Sequence, residues 1–145
     1  MITQKYPRSP KVLLGGMAHL ARFIDKIRMR HAGLIPDYNY ITTGFDKHLL
    51  DLLQIKGEDF EKRVLEGGTD EEILAWVKAQ TRPLADEDLR QWNELVLNGG
   101  PKDDGTRRRF QKRLADVAVK RGVPVEKLPP ASTWVDVIEL DEERL

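Results

Sequence analysis

The chain has 145 residues, no cysteine, and 24 acidic side chains against 24 basic ones. Without cysteine, disulfides, thiolate metal ligands and cysteine nucleophiles are excluded. An apolar share of 40% and a charged share of 33% exclude the charge-dominated disordered class.

A chain of this length favours one core. The expectation is a single domain over residues 1–145, with residues 1–15 as an extended N-terminal arm and residues 122–131 as a proline-rich loop. The longest uncharged run, Val12 to Ala21, falls short of a membrane span and carries Gly15, Gly16 and His19. Lys5, Arg8 and Lys11 precede it, but Pro7, Pro10 and the glycine pair interrupt any export pattern. A cytoplasmic protein without membrane contact is expected.

The elements follow from hydrophobic spacing. Pro7-Arg8-Ser9-Pro10 is extended or turned, because each proline removes a donor and biases its predecessor away from the helix. A first helix is expected from just after Gly15-Gly16 to about His31, with Leu20, Phe23, Ile24, Ile27 and His31 in one arc. Arg22, Lys26, Arg30 and His19 fall along one edge of that arc. Residues 37–42 alternate weakly and suit a short extended segment with Tyr38 and Tyr40 on one side. Thr43 with Asp46 resembles a helix start for Phe45, Leu49, Leu52 and Leu53, ending near Ile55. A third helix, 58–66, buries Phe60 and Val64.

Thr69-Asp70-Glu71-Glu72 is a capping box ahead of Ile73, Trp76 and Val77. After Pro83, the residues Leu89, Trp92, Leu95 and Val96 form the buried face of a fifth helix, closed by Asn98-Gly99-Gly100-Pro101. A long helix runs from about Thr106 to Arg121 on Phe110, Leu114, Val117 and Ala118, with Gly122 as its stop. Residues 132–140 suit a short helix or a strand. The fold class is therefore all-α, a compact single-domain bundle of six or seven short helices with at most one short extended segment.

Charge is blocked along the chain: +6 over residues 1–36, −1 over 37–57, −6 over 58–94, +5 over 102–121 and −4 over 136–145. Such blocks arise either from basic helices packing beside acidic ones or from a basic face that recruits an acidic partner.

Few residues suggest chemistry. A glycine pair ahead of a helix leaves backbone N–H groups at the positive end of a dipole, and nearby cations would complete a site for a phosphate or carboxylate. The candidate ligand-binding residues are Arg8, Gly15, Gly16, His19, Arg22, Lys26, Tyr38 and Tyr40. In the plainer alternative the glycines form a turn and the basic residues solvate the helix edge. His19 and Asp25 lie on opposite sides of the helix and cannot pair directly, whereas Arg22 and Asp25, three apart, can.

His19, His31 and His48 show no metal-ligand spacing, so no metal is expected, and no cofactor is implied. His31 reads as a core-edge histidine with a local hydrogen bond. Ser9 and Ser132 lie outside any nucleophile motif. On the long C-terminal helix Arg108, Arg109, Lys112, Arg113 and Lys120 face away from the core stripe, interrupted by Asp116. The arc reads as solvated or paired within the chain, and a nucleic-acid partner is disfavoured by the zero net charge and by the lack of interleaved aromatics. Trp76, Trp92 and Trp134 read as core residues.

The run Pro7-Arg8-Ser9-Pro10, Leu14-Gly15-Gly16, His19-Leu20-Ala21-Arg22, Ile24-Asp25-Lys26 and Arg28, then Tyr38 and Tyr40, resembles an uncharacterised bacterial family known as a domain of unknown function. Asp46 with Leu49-Leu50, Glu71-Glu72 ahead of Trp76, and Thr133-Trp134 extend the resemblance over nearly the whole chain. It implies a stand-alone bacterial cytosolic domain and no activity, cofactor or catalytic residue. The leading reading is a small binding or interaction domain without evident catalysis, its partner unidentified, either a protein or a small anionic ligand. The alternatives are an enzyme or ligand-binding protein recognising a small anion at the N-terminal helix, and a nucleic-acid binder using the 108–120 face.

Overall fold

Helix formation in this chain is punctuated by side chains that cap and glycines that stop. The computed structural model describes residues 2–145, and among these are seven α-helices, a single 3-10 turn at Val125–Lys127 and no strand. The fold is all-α. In chain order the helices are α1 (Leu20–His31), α2 (Gly44–Leu53), α3 (Gly57–Leu65), α4 (Asp70–Gln80), α5 (Asp86–Asn98), α6 (Asp104–Arg121) and α7 (Trp134–Asp141). Two compact units divide the chain, one reaching to Asn93 and one spanning Glu94–Leu145, and each has its own interior.

In the first unit α1 is the central element. Nine of its twelve residues are buried, including Leu20, Phe23, Ile24 and Ile27 but also Arg22, Asp25 and Lys26. It packs on α3, where the Phe23 and Phe60 rings meet edge to face at 4.8 Å, and α3 in turn packs on α4, with Trp76 6.4 Å from Phe60. The helix begins at Leu20, later than expected. Gly15 (φ 61°) and Gly16 (φ 75°) are used in a two-residue turn that closes reciprocal bonds of 3.1 Å between Leu14 and Met17, and such left-handed angles suit glycine. Asn93 then holds both the Gly16 carbonyl and the Ala18 amide, and the Trp92 indole donates to the Ala18 carbonyl at 2.8 Å. His19 follows in a left-handed conformation (φ 73°), so the helix cannot start before it.

Other departures have equally local causes. Thr43 precedes α2 but makes no side-chain cap, and the Asp46 carboxylate, which could have closed the reciprocal half of a box, is engaged by His19 and Lys26. Residues 37–42 form turns and bends rather than an extended segment. His31, placed by periodicity in the core arc, is exposed and bonds to Glu61 across to α3 at 3.1 Å. On α5, Trp92 and Val96 are buried as expected, whereas Leu95 stays exposed.

The second unit closes around Phe110, Leu114 and Val117 of α6 with Val137 and Leu140 of α7, flanked by Trp134. The helix α6 starts at Asp104, two residues before the expected Thr106, because Asp103 and Thr106 form a capping box: the Thr106 amide donates to Asp103 Oδ1 at 2.7 Å, and the Asp103 amide to Thr106 Oγ1 at 3.0 Å. Gly122 stops it in the left-handed region. Residues 134–141 are helical because Thr133 and Asp136 make the same reciprocal arrangement. Replacing Thr133 with alanine removes that cap and is expected to cost about 1 kcal/mol. A chemical denaturation series checks this as a lower midpoint at unchanged slope.

Candidate functional site

The N-terminal constellation is built around two carboxylates that reach across the first unit. Asp46, in the first turn of α2, is 1% exposed. Its Oδ1 lies 2.7 Å from His19 Nε2, and its Oδ2 accepts from Lys26 Nζ at 2.8 Å and from the Ile41 amide at 3.0 Å. His19 is 2% exposed and Lys26 5%, so all three members are inside the protein. The helix α1 positions two of them, since His19 is its N-cap residue and Lys26 lies two turns further on.

Asp25, on α1, is the second centre. Arg8 donates to it from its backbone amide (2.9 Å), from Nε (2.9 Å) and from Nη2 (3.1 Å), while Gln4 Nε2 donates at 3.0 Å. The other edge of the same guanidinium grips Asp70 at the start of α4, at 2.7 and 3.1 Å, and Nη2 also approaches the Ala21 carbonyl at 3.3 Å. Arg22 donates to the Arg8 carbonyl at 3.2 Å and lies over the Tyr38 ring at 5.8 Å. Near the far end of α1, Arg30 stands 4.6 Å over Tyr40, whose hydroxyl donates to Glu61 at 2.5 Å.

The electrostatics follow from this geometry. Burial pushes the His19 pKa below its ordinary 6.5, and the bond to Asp46 only partly opposes that. Burial alone would raise the Asp46 carboxyl, but the His19 bond and the Lys26 charge outweigh it and hold the group below its ordinary value. An ionised Asp46 fixes the neutral imidazole as the Nε2–H tautomer. His19 Nδ1 is then the lone-pair nitrogen, and it is buried without a hydrogen-bond partner. Phe23 and Phe45 flank the ring, with centroids at 6.1 and 5.6 Å. Around Tyr40, burial and the bond to Glu61 raise the phenol above its ordinary value, and the same bond lowers Glu61.

The eight candidate residues therefore do not form a single open pocket. Arg8, His19, Arg22 and Lys26 gather around α1, engaged by carboxylates or a carbonyl of the chain itself. Gly15 and Gly16 form an exposed turn ahead of α1, and Tyr38 and Tyr40 lie under two different arginines. The basic residues His19, Arg22 and Lys26 do not solvate a helix edge, since all three are buried. The partners Asp46 and Asp70 were not predictable as such. Asp25 carried one signal, being the sole acid among the first 36 residues beside seven bases.

A second cationic array lies in the other unit. Arg108, Arg109 and Arg113 of α6 are exposed and their guanidiniums enter no ion pair among the described residues, whereas Arg107 pairs with Asp104 and Lys112 with Asp116.

Two predictions follow from the buried centre. Asp46→Asn leaves the Lys26 ammonium beside an uncharged group in the interior and is expected to cost about 3 kcal/mol or more in unfolding free energy, measured by urea titration. With its folded pKa lowered, His19 contributes stability that is present above pH 6.5 and is lost as pH falls below it, because the unfolded chain takes up a proton that the folded imidazole refuses. The slope is up to about 1.4 kcal/mol per pH unit for one proton. His19→Asn, whose side chain tolerates the left-handed backbone, should abolish this contribution in melts between pH 7 and pH 5.

No curated protein matches the chain significantly. A family model described as Domain of unknown function (DUF5069) matches residues 4–144. With that match covering both units and both carboxylate centres, the chain belongs to the DUF5069 family.

Proposed function

We propose that the protein works by binding a partner rather than by turning over a substrate, and that its N-terminal constellation is architectural. One observation carries the reading. The cations that would receive an anionic ligand at α1 are occupied by the chain's own groups, Arg8 by Asp25 and Asp70, Lys26 by Asp46, and Arg22 by the Arg8 carbonyl. A general base must also touch the proton it removes. His19, the imidazole of the N-terminal constellation, is sealed at 2% exposure. The cysteine-free composition suits a reducing compartment, and we place the protein in the bacterial cytoplasm.

Two measurements test this. Titration with inorganic phosphate and with acetate by calorimetry is expected to give no saturable heat. Saturable binding that Arg22→Gln removes at unchanged melting temperature would restore the small-anion site. The purified protein incubated with a metabolite extract is expected to leave every component unchanged, and turnover of any of them overturns the binding reading. Affinity purification from cells should then recover a defined partner in stoichiometric amount.

A further inference from the structure

We infer that the outer face of α6 is a docking surface for an acidic segment of a partner protein. The inference rests on the binding reading above and names the surface that performs it.

The contrast between the two cationic arrays is the starting point. Around α1 the arginine and lysine side chains are buried and engaged. On α6 the arginines at 108, 109 and 113 are exposed and make no ion pair among the described residues, with Arg109 near enough to Asp103 to help hold its carboxyl low. At 100° per residue, Arg108 and Lys112 form one row along the outer face and Arg109 and Arg113 form a second, each with a spacing of about 6 Å along the axis. The Arg108–Lys112 row is opposite the stripe of Phe110, Leu114 and Val117 that closes the unit's core, and the Arg109–Arg113 row flanks that stripe. The helix is therefore held by its inner side and leaves the arginine rows to solvent.

A guanidinium presents planar donors that match a carboxylate in bidentate fashion, so unpaired arginines favour discrete anionic side chains. Val119 continues the Arg108–Lys112 row and is 81% exposed, the most exposed large apolar side chain of the described residues. A protein segment can cover a valine with an apolar side chain of its own, and a phosphate backbone cannot. Asp116 interrupts the arc, and the second unit holds ten acidic and ten basic residues, so a continuous polyanion gains little long-range attraction. Complementarity is thus with a mixed acidic and apolar segment.

The test uses the full chain and two fluorescein-labelled peptides of equal length, one of glutamate with interspersed leucine and one of glutamate alone, beside a labelled DNA duplex, all read by anisotropy at low and at physiological salt. The mixed peptide is expected to bind most tightly. The triple reversal R108E/R109E/R113E should weaken it about tenfold or more, and Val119→Ser should reduce its advantage over polyglutamate. A control reversal on the first unit, K56E/K78E/R82E, changes the net charge equally and should weaken binding less than about twofold. Circular dichroism melts establish that each variant is folded.

Absence of peptide binding, an equal loss from the control reversal, or tighter binding of the duplex each overturns the proposal, the last in favour of nucleic acid. The two readings fail separately. A partner still recovered by R108E/R109E/R113E leaves the binding reading intact and removes this surface from it, whereas turnover of a metabolite removes the binding reading itself.

Discussion

The first unit depends on one buried carboxylate. An ammonium or a carboxylate is costly to take out of water alone, and the cost is met only when partners satisfy the charge and the remaining lone pairs. Asp46 supplies that condition for Lys26, and Lys26, His19 and the Ile41 amide supply it in return. Only with this closed set can α1 lie within the unit with polar residues facing inward. The same set fixes the histidine tautomer and keeps a left-handed residue at the helix start, where no side-chain cap is made.

Asp25 performs the corresponding task for the arm. Without regular structure of its own, the segment around Arg8 has little backbone pairing to hold it. The guanidinium compensates by spanning two carboxylates, one on α1 and one at the head of α4. Because the fork of an arginine fits a carboxylate in few orientations, this clamp sets the register of the arm as well as its attachment. Alternative packings of α1 would leave Arg8, Lys26, Asp25 or Asp46 buried and unsatisfied. The network's main contribution is thus to specificity of arrangement, with net stabilisation coming from the apolar interior around Phe23 and Phe60.

How much of this the sequence disclosed depended on range. Local signals were legible: the Thr69 box, the Gly122 stop, and the α6 stripe of Phe110, Leu114, Val117 and Ala118 stand where spacing put them. The boxes at Asp103 and Thr133 were missed because their third helical residues are threonine and aspartate rather than glutamate or glutamine. The long-range pairs were not legible at all. His19 and Asp46 are 27 residues apart and Arg8 and Asp70 are 62 apart, and nothing in a helical period links such positions. A wheel drawn for α1 counts its charged residues as solvent-facing, which holds for a helix with one buried face and fails for one surrounded by others. His31 shows the converse error, since an apolar arc extended to a helix's last residue leaves the core there, and His31 stays exposed with the Glu61 carboxylate as its partner.

The zero net charge conceals two different solutions to the same balance. Each unit is neutral by itself, with fourteen acids against fourteen bases up to Asn93 and ten against ten beyond it. In the first unit neutrality is reached by contact, since Arg8, Lys26, Asp25, Asp46 and Asp70 bond one another in and around the interior, where salt screens little. In the second, Arg107, Lys112, Lys120 and Arg144 pair with acids of the same unit, whereas the arginines at 108, 109 and 113 make no ion pair among the described residues. Block charge along a sequence thus does not by itself separate internal pairing from a surface for others. What separates them is whether the guanidiniums find carboxylates in the folded chain, and by that criterion Arg8 of the N-terminal block is consumed by the fold, while Arg108, Arg109 and Arg113 of the α6 block remain available.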